Sequence, residues 1–136
     1  MTAPAAPGTA DARDKGERQG REMKALLIPI DGPPREVDLP DGGGTRFMNS
    51  LRALIGTGCA ERLWITGRWE AWLDEGGTST GKPANQAATR LAQSFGWQFS
   101  LAGPAVIVGL DQDTGPAALS PGQVDAILEK IRTPAA

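Results

Sequence analysis

The sequence contains no histidine and no tyrosine, a single cysteine, and no apolar run long enough to span a bilayer. Each absence removes a class of function. Without histidine there is no Ser/His or Cys/His nucleophile pair and no Cys/His zinc arrangement. With Cys59 alone, no intrachain disulfide can close, which points to a reducing, cytoplasmic compartment. The longest apolar stretches, Ala25 to Ile30 and Pro104 to Leu110, fall well short of the roughly 20 residues that cross a membrane. Met1 to Pro7 lack the charged-then-apolar order of a signal peptide, so neither secretion nor membrane insertion is expected. Basic clusters are missing too. Sixteen acidic residues face 14 basic ones for a net charge of -2, with no Lys or Arg run to track a phosphate backbone. Duplex nucleic acid is therefore disfavoured as a partner, and an acidic imitation of DNA would need far more charge.

What remains describes one ordinary folded domain. Apolar residues make up 40% and charged residues 22% of 136, enough for a single packed core. Residues 1–22 stand apart as an Ala/Pro/Gly-rich and then mixed-charge segment with almost no apolar anchor, expected to be a mobile tail or extension. The patterned sequence begins at Met23, an alternative start, and the globular domain is expected over 23–133.

Periodicity orders the rest. Lys24 to Ile30 is an apolar run of strand length, the turn-favouring Asp31-Gly32-Pro33-Pro34 ends it, and Arg35 to Leu39 alternates like a half-exposed strand, so the pair predicts a hairpin. Phe47, Leu51, Leu54 and Ile55 recur at helical spacing behind a Thr45 cap and before a Gly56 stop. Glu61 to Thr66 and Trp69 to Asp74 read as two strands about Gly67-Arg68, with Trp69, Ala71 and Leu73 on one face and Glu70, Trp72 and Asp74 on the other. Ala84, Ala87, Ala88, Leu91, Ala92 and Phe95 form one helical stripe closed by Gly96. Pro104 to Gly109 is β-branched and apolar throughout, as suits a central strand buried on both faces. A polar loop from Asp111 to Pro116 leads to Ser120-Pro121-Gly122-Gln123, a capping serine, a first-turn proline and a third-position glutamine, which opens a last helix buried through Val124, Ile127, Leu128 and Ile131. The fold class expected is α+β: a single mixed, mainly antiparallel sheet of about five strands with about three helices packed on it.

Several segments invite a chemical reading. Gly76 to Lys82 has the spacing of a phosphate-binding P-loop between a strand and a helix, but Pro83 stands where a hydroxyl should hold Mg²⁺. What survives is a modest anion site at a helix start, with Lys82 and Thr80 as donors. Asp111 to Gly115 resembles the opening of a calcium loop, yet its glycine comes one position early and Gly122 replaces the bidentate glutamate. Asp74 and Glu75 are adjacent acids at a strand end, whose side chains point to opposite faces. Cys59, with no base beside it, reads as a small buried or half-buried thiol. No metal and no cofactor is called for. The tryptophans are the unusual feature: three of the four, Trp64, Trp69 and Trp72, share one hairpin with Arg62 and Arg68. A small sheet cannot bury both faces of that hairpin, so Trp72 is expected to offer a flat stacking surface for a base, a peptide or a second subunit.

The order of motifs over Met23 to Leu119 resembles the DUF3846 family, small domains of unassigned function found in bacterial and phage genomes. The resemblance rests on Met23-Lys24-Ala25-Leu26, the turn Asp74-Glu75-Gly76, Asn85-Gln86-Ala87-Ala88-Thr89 leading the helix, and the strand Gly103 to Gly109. It implies a shared fold and a phage or mobile-element setting, and brings no catalytic residues. Asn85 gains interest from it, as a helix-start amide that fixes the preceding loop or contacts a ligand. The leading expectation is a non-enzymatic binding module for an anionic or nucleotide-like small molecule, using Lys82, Thr80, Asn85, Arg68 and Trp72. The alternative is a protein-interaction or oligomerisation module, including a homo-oligomer, that acts through the tryptophan hairpin.

Overall fold

The expected hairpin forms as β1 (Glu22–Ile28) and β2 (Arg35–Pro40), joined through Asp31 to Pro34. The computed structural model describes residues 22–77, 81–98, 100–111, 113 and 115–132. The tail expected over 1–22 thus lies outside the described residues except for Glu22, which opens β1. After it come α1 (Thr45–Ile55), β3 (Ala60–Trp64), β4 (Trp69–Asp74), α2 (Gln86–Gln93), β5 (Ala105–Asp111), β6 (Gly115–Ala117) and α3 (Pro121–Arg132).

The strands lie in the order β2-β1-β5-β4-β3, with β6 beside β5, and every pairing among them is antiparallel. β5 is central, as its unbroken apolar run demands: Ala105 and Ile107 face one core cluster while Val106 and Val108 face the other. β1 divides the same way, with Leu26 and Ile28 on one side and Met23, Ala25 and Leu27 on the other. Both faces of the sheet are covered. α1 lays Phe47, Leu51 and Ile55 on the first, and α2 and α3 lay Ala88, Leu91, Ala92, Val124, Ile127 and Ile131 on the second. Full burial of aliphatic and aromatic side chains of this size contributes about 1.5–3 kcal/mol each, and these layers hold the sheet rigid.

The polar segment read as a loop from Asp111 to Pro116 runs into the short strand β6, which pairs with the far end of β5. It carries no alternation to betray it, and Pro116 sits on it without a backbone donor. Gly109 is required there, because a Cβ would lie 2.9 Å from the Ala118 carbonyl oxygen. Three helix boundaries differ from expectation. Gly44, not Thr45, is the N-cap of α1 and makes no side-chain cap bond, since Thr45 is already helical. Ala84 falls outside α2, in an isolated bridge with Ala102, and Phe95 lies beyond its end. The stop at Gly56 forms as read, in the left-handed conformation that glycine alone adopts without cost. The capping box of α3 also forms: the Ser120 N–H donates to Gln123 Oε1 at 2.8 Å, and the Gln123 N–H donates to Ser120 Oγ at 3.2 Å.

Candidate functional site

Of the P-loop-like segment, Gly76, Gly77, Gly81 and Lys82 lie among the described residues. Thr80 lies outside the described residues, and the Lys82 ammonium is engaged by protein: it forms an ion pair with Asp74 at 2.7 Å and donates to the Ile55 and Gly56 carbonyls at 3.4 and 3.2 Å. A cation at these carbonyls complements the negative end of the α1 dipole. Asp74 also accepts from the Thr57 hydroxyl at 2.9 Å and the Gly76 N–H at 3.0 Å. Lys82, then Thr57 and the Gly76 amide, hold its carboxyl below the usual aspartate range. This knot ties the strand end to α1, and the residue offered as the chief anion donor is its central piece. Beside it Cys59, just before β3, is exposed and not buried; its thiol donates to Glu75 Oε1 at 2.8 Å. That hydrogen bond and the Glu75 charge raise the thiol pKa.

Asn85 is fully buried. Its amide nitrogen donates to the Ile28 and Gly103 carbonyls, both at 2.9 Å, and its amide oxygen accepts from the Ala88 N–H at 3.0 Å, capping α2. No surface of it faces a ligand, so of its two expected roles the structure gives it the loop-fixing one. Trp72 is half-buried rather than flat on the surface, since α1 covers that face and Phe47 meets its ring edge-on at 5.9 Å. The indole N–H of Trp72 donates to Glu70 at 3.2 Å. Glu70 is 1% exposed, and burial raises its pKa against the opposing effects of Trp72 and of Arg62, whose Nε lies 3.7 Å away. The exposed tryptophan is Trp64, 54% accessible, on the outer strand β3.

Arg68 is separated from Lys82 by the length of β4, about 17 Å, so the expected donors do not share one site. Arg68 instead lines a cleft of about 660 Å³ between the β3–β4 turn and α3. That volume falls within the roughly 300–1,000 Å³ usual for small-molecule sites. One wall is the turn Thr66-Gly67-Arg68, and Trp69 and Phe95 supply its aromatic surface. The other wall is the exposed side of α3, from Ser120 and Gly122 at its start through Ala126 to Lys130. Phe95 meets Trp69 edge-on at 5.5 Å, and Lys130 Nζ stands 4.9 Å from the Phe95 ring centre. Trp69 is 6% exposed and its indole N–H has no hydrogen-bond partner among the described residues, a costly arrangement for a buried donor. Sequence reasoning found Arg68 and missed Lys130, Phe95 and Gly122, the last two of which it read as helix stripe and cap. A signal was present: Gly122 and Ala126, small residues four apart on α3, leave room along that face.

A second hollow, of about 300 Å³, lies beside β3, and Glu61, Asp74 and Glu75 outnumber Arg62 in its lining. Among the described residues no cluster of three His, Cys, Asp or Glu side chains could hold a metal ion, and no helix is long and apolar enough to cross a membrane.

No curated protein and no solved structure matches the chain. A family model does, over residues 23–132, nearly all of the folded part described above; its description is a domain of unknown function, DUF3846. The chain belongs to the DUF3846 family.

Proposed function

We propose that this domain is a non-enzymatic binding module and that its ligand is an anionic small molecule held in the cleft between the β3–β4 turn and α3. One observation carries the reading: two cationic side chains, Arg68 and Lys130, line the same aromatic-walled cleft as the amino end of a twelve-residue helix. Helix amino ends and guanidinium groups both favour negative charge, and an apolar wall strengthens that preference by lowering the local dielectric. Binding rather than turnover fits the cleft's contents. The groups with shifted proton affinity, Lys24, Asp74, Glu70 and Cys59, do not line it, and the chain has no histidine. A cytoplasmic setting suits a chain with one exposed thiol, and a phage or mobile-element context follows from the resemblance discussed above.

The test uses protein purified from its own host. Native mass spectrometry is expected to show a retained small anion in the wild-type chain and none in the Arg68→Ala, Lys130→Ala double variant. Equal retention by both proteins would rule the cleft out.

A second reading, interaction with protein, is favoured by Trp64, which stands exposed on the outer strand β3. Outer strands present unpaired backbone groups to a further strand, and an exposed tryptophan is a common anchor.

A further inference from the structure

Gly122, Ala126 and Lys130 recur at intervals of four, so they follow one face of α3 and carry the cleft along the helix for about 12 Å. The two ends of that path differ in chemistry. At the start, Pro121 has no N–H, the Gln123 N–H is held by Ser120 Oγ, and the Val124 N–H is held by the Ser120 carbonyl. Gly122 is left as the first-turn donor, with no side chain to shield it. At the far end stand Trp69 and Phe95. Phe95 lies past the end of α2, 36% exposed, and meets Trp69 through an edge contact and Lys130 through a cation–π contact.

The Trp69 N–H, buried and without a hydrogen-bond partner among the described residues, discriminates among occupants once Phe95 moves. A hydrocarbon ring has no acceptor to offer it. A nitrogen heterocycle carries acceptors in the plane of its ring. A single-ring carboxylate would reach one end of the cleft only.

We infer that the cleft takes a nucleoside monophosphate, its phosphate at Gly122 and Arg68 and its base against Trp69, with Phe95 swung aside to admit it. This rests on the anion-binding reading above and adds the chemical class of ligand. The Trp69 N–H then donates to a ring nitrogen or carbonyl of the base, and the Phe95 ring closes over the base.

Calorimetric titration of the full chain with adenosine 5′-monophosphate, adenosine and inorganic phosphate tests it, alongside spectra of the ¹⁵N-labelled indole groups. The monophosphate is expected to bind at least about ten-fold more tightly than either fragment, since each charge-assisted bond or stacked ring is worth roughly that factor. One indole N–H signal should shift with the monophosphate and with adenosine but not with phosphate. Phe95→Ala, at a residue outside the helices and strands, should weaken the monophosphate and leave phosphate unchanged, while Arg68→Ala should weaken both. If the monophosphate binds no better than phosphate and Arg68→Ala weakens both, the nucleotide assignment is wrong and the anion site stands. If neither binds, and the protein from its host retains no anion, both fail.

Discussion

Glu70 shows how far a single residue can depart from what its type suggests. A carboxyl 1% exposed on the α1 face gains the Trp72 N–H and a distant Arg62, and the loss of water still dominates, so its pKa rises. For an acid raised in the folded state, the ionised form is penalised once the pH exceeds the unfolded value near 4.5, and the penalty is complete above the folded value. Glu70→Gln keeps an acceptor for Trp72 and removes the charge. Thermal unfolding should therefore show the variant more stable than the parent at pH 7, with the difference vanishing below about pH 4. A variant less stable at pH 7 would mean that the Arg62 ion pair outweighs desolvation. Asp74 has the opposite sign. Its lowered pKa contributes stability that is present above the usual aspartate value and is lost as the pH falls through the depressed one.

At the scale of elements, Asn85 is the joint between α2, the end of β1 and the turn before β5. Exposed N-caps accept aspartate as readily as asparagine. This one should not, because its nitrogen donates to two buried carbonyls that a carboxylate would repel. Asn85→Ala is expected to cost about 3 kcal/mol, since it leaves three backbone groups unpaired at about 1–3 kcal/mol each and such losses do not add fully. Asn85→Asp should cost at least as much. Urea unfolding of the three proteins decides it, and an aspartate variant as stable as the parent would place the amide at a solvated cap. The Lys82–Asp74 knot acts at the same scale, tying the last turn of α1 to the end of β4 with a cation at the helix carbonyls.

For the whole molecule, layering α1 on one face and α2 with α3 on the other leaves the sheet's two outer strands as its open margins. β2 exposes Arg35, Glu36 and Asp38 and ends at Pro40, features that discourage strand addition. β3 exposes Glu61, Arg62 and Trp64. If the second functional reading holds, sedimentation velocity will find the parent chain self-associating in a concentration-dependent way and Trp64→Ser monomeric. A parent that stays monomeric at all concentrations removes the homo-oligomer form of that reading. The proposed anion site makes no such demand, because all the described walls of the cleft belong to one chain.

Local patterns were enough for every element whose signal sits in neighbouring residues. The apolar run Ala105 to Val108, the helical stripe at Val124, Ile127 and Ile131, the Ser120 box and the Gly56 stop all formed where the sequence places them. The sequence also yielded the opposite facing of Trp69 and Trp72, since side-chain alternation is a property of the strand alone. What depended on the tertiary fold was which helix covers which face. A one-dimensional pattern shows that a stripe must be buried and does not say against what. Hence Trp72 was expected outside and lies under α1, Lys82 was expected to meet a ligand and meets Asp74 instead, and the cleft gathers Arg68, Phe95 and Lys130 from segments 27 and 35 residues apart, brought together only by packing.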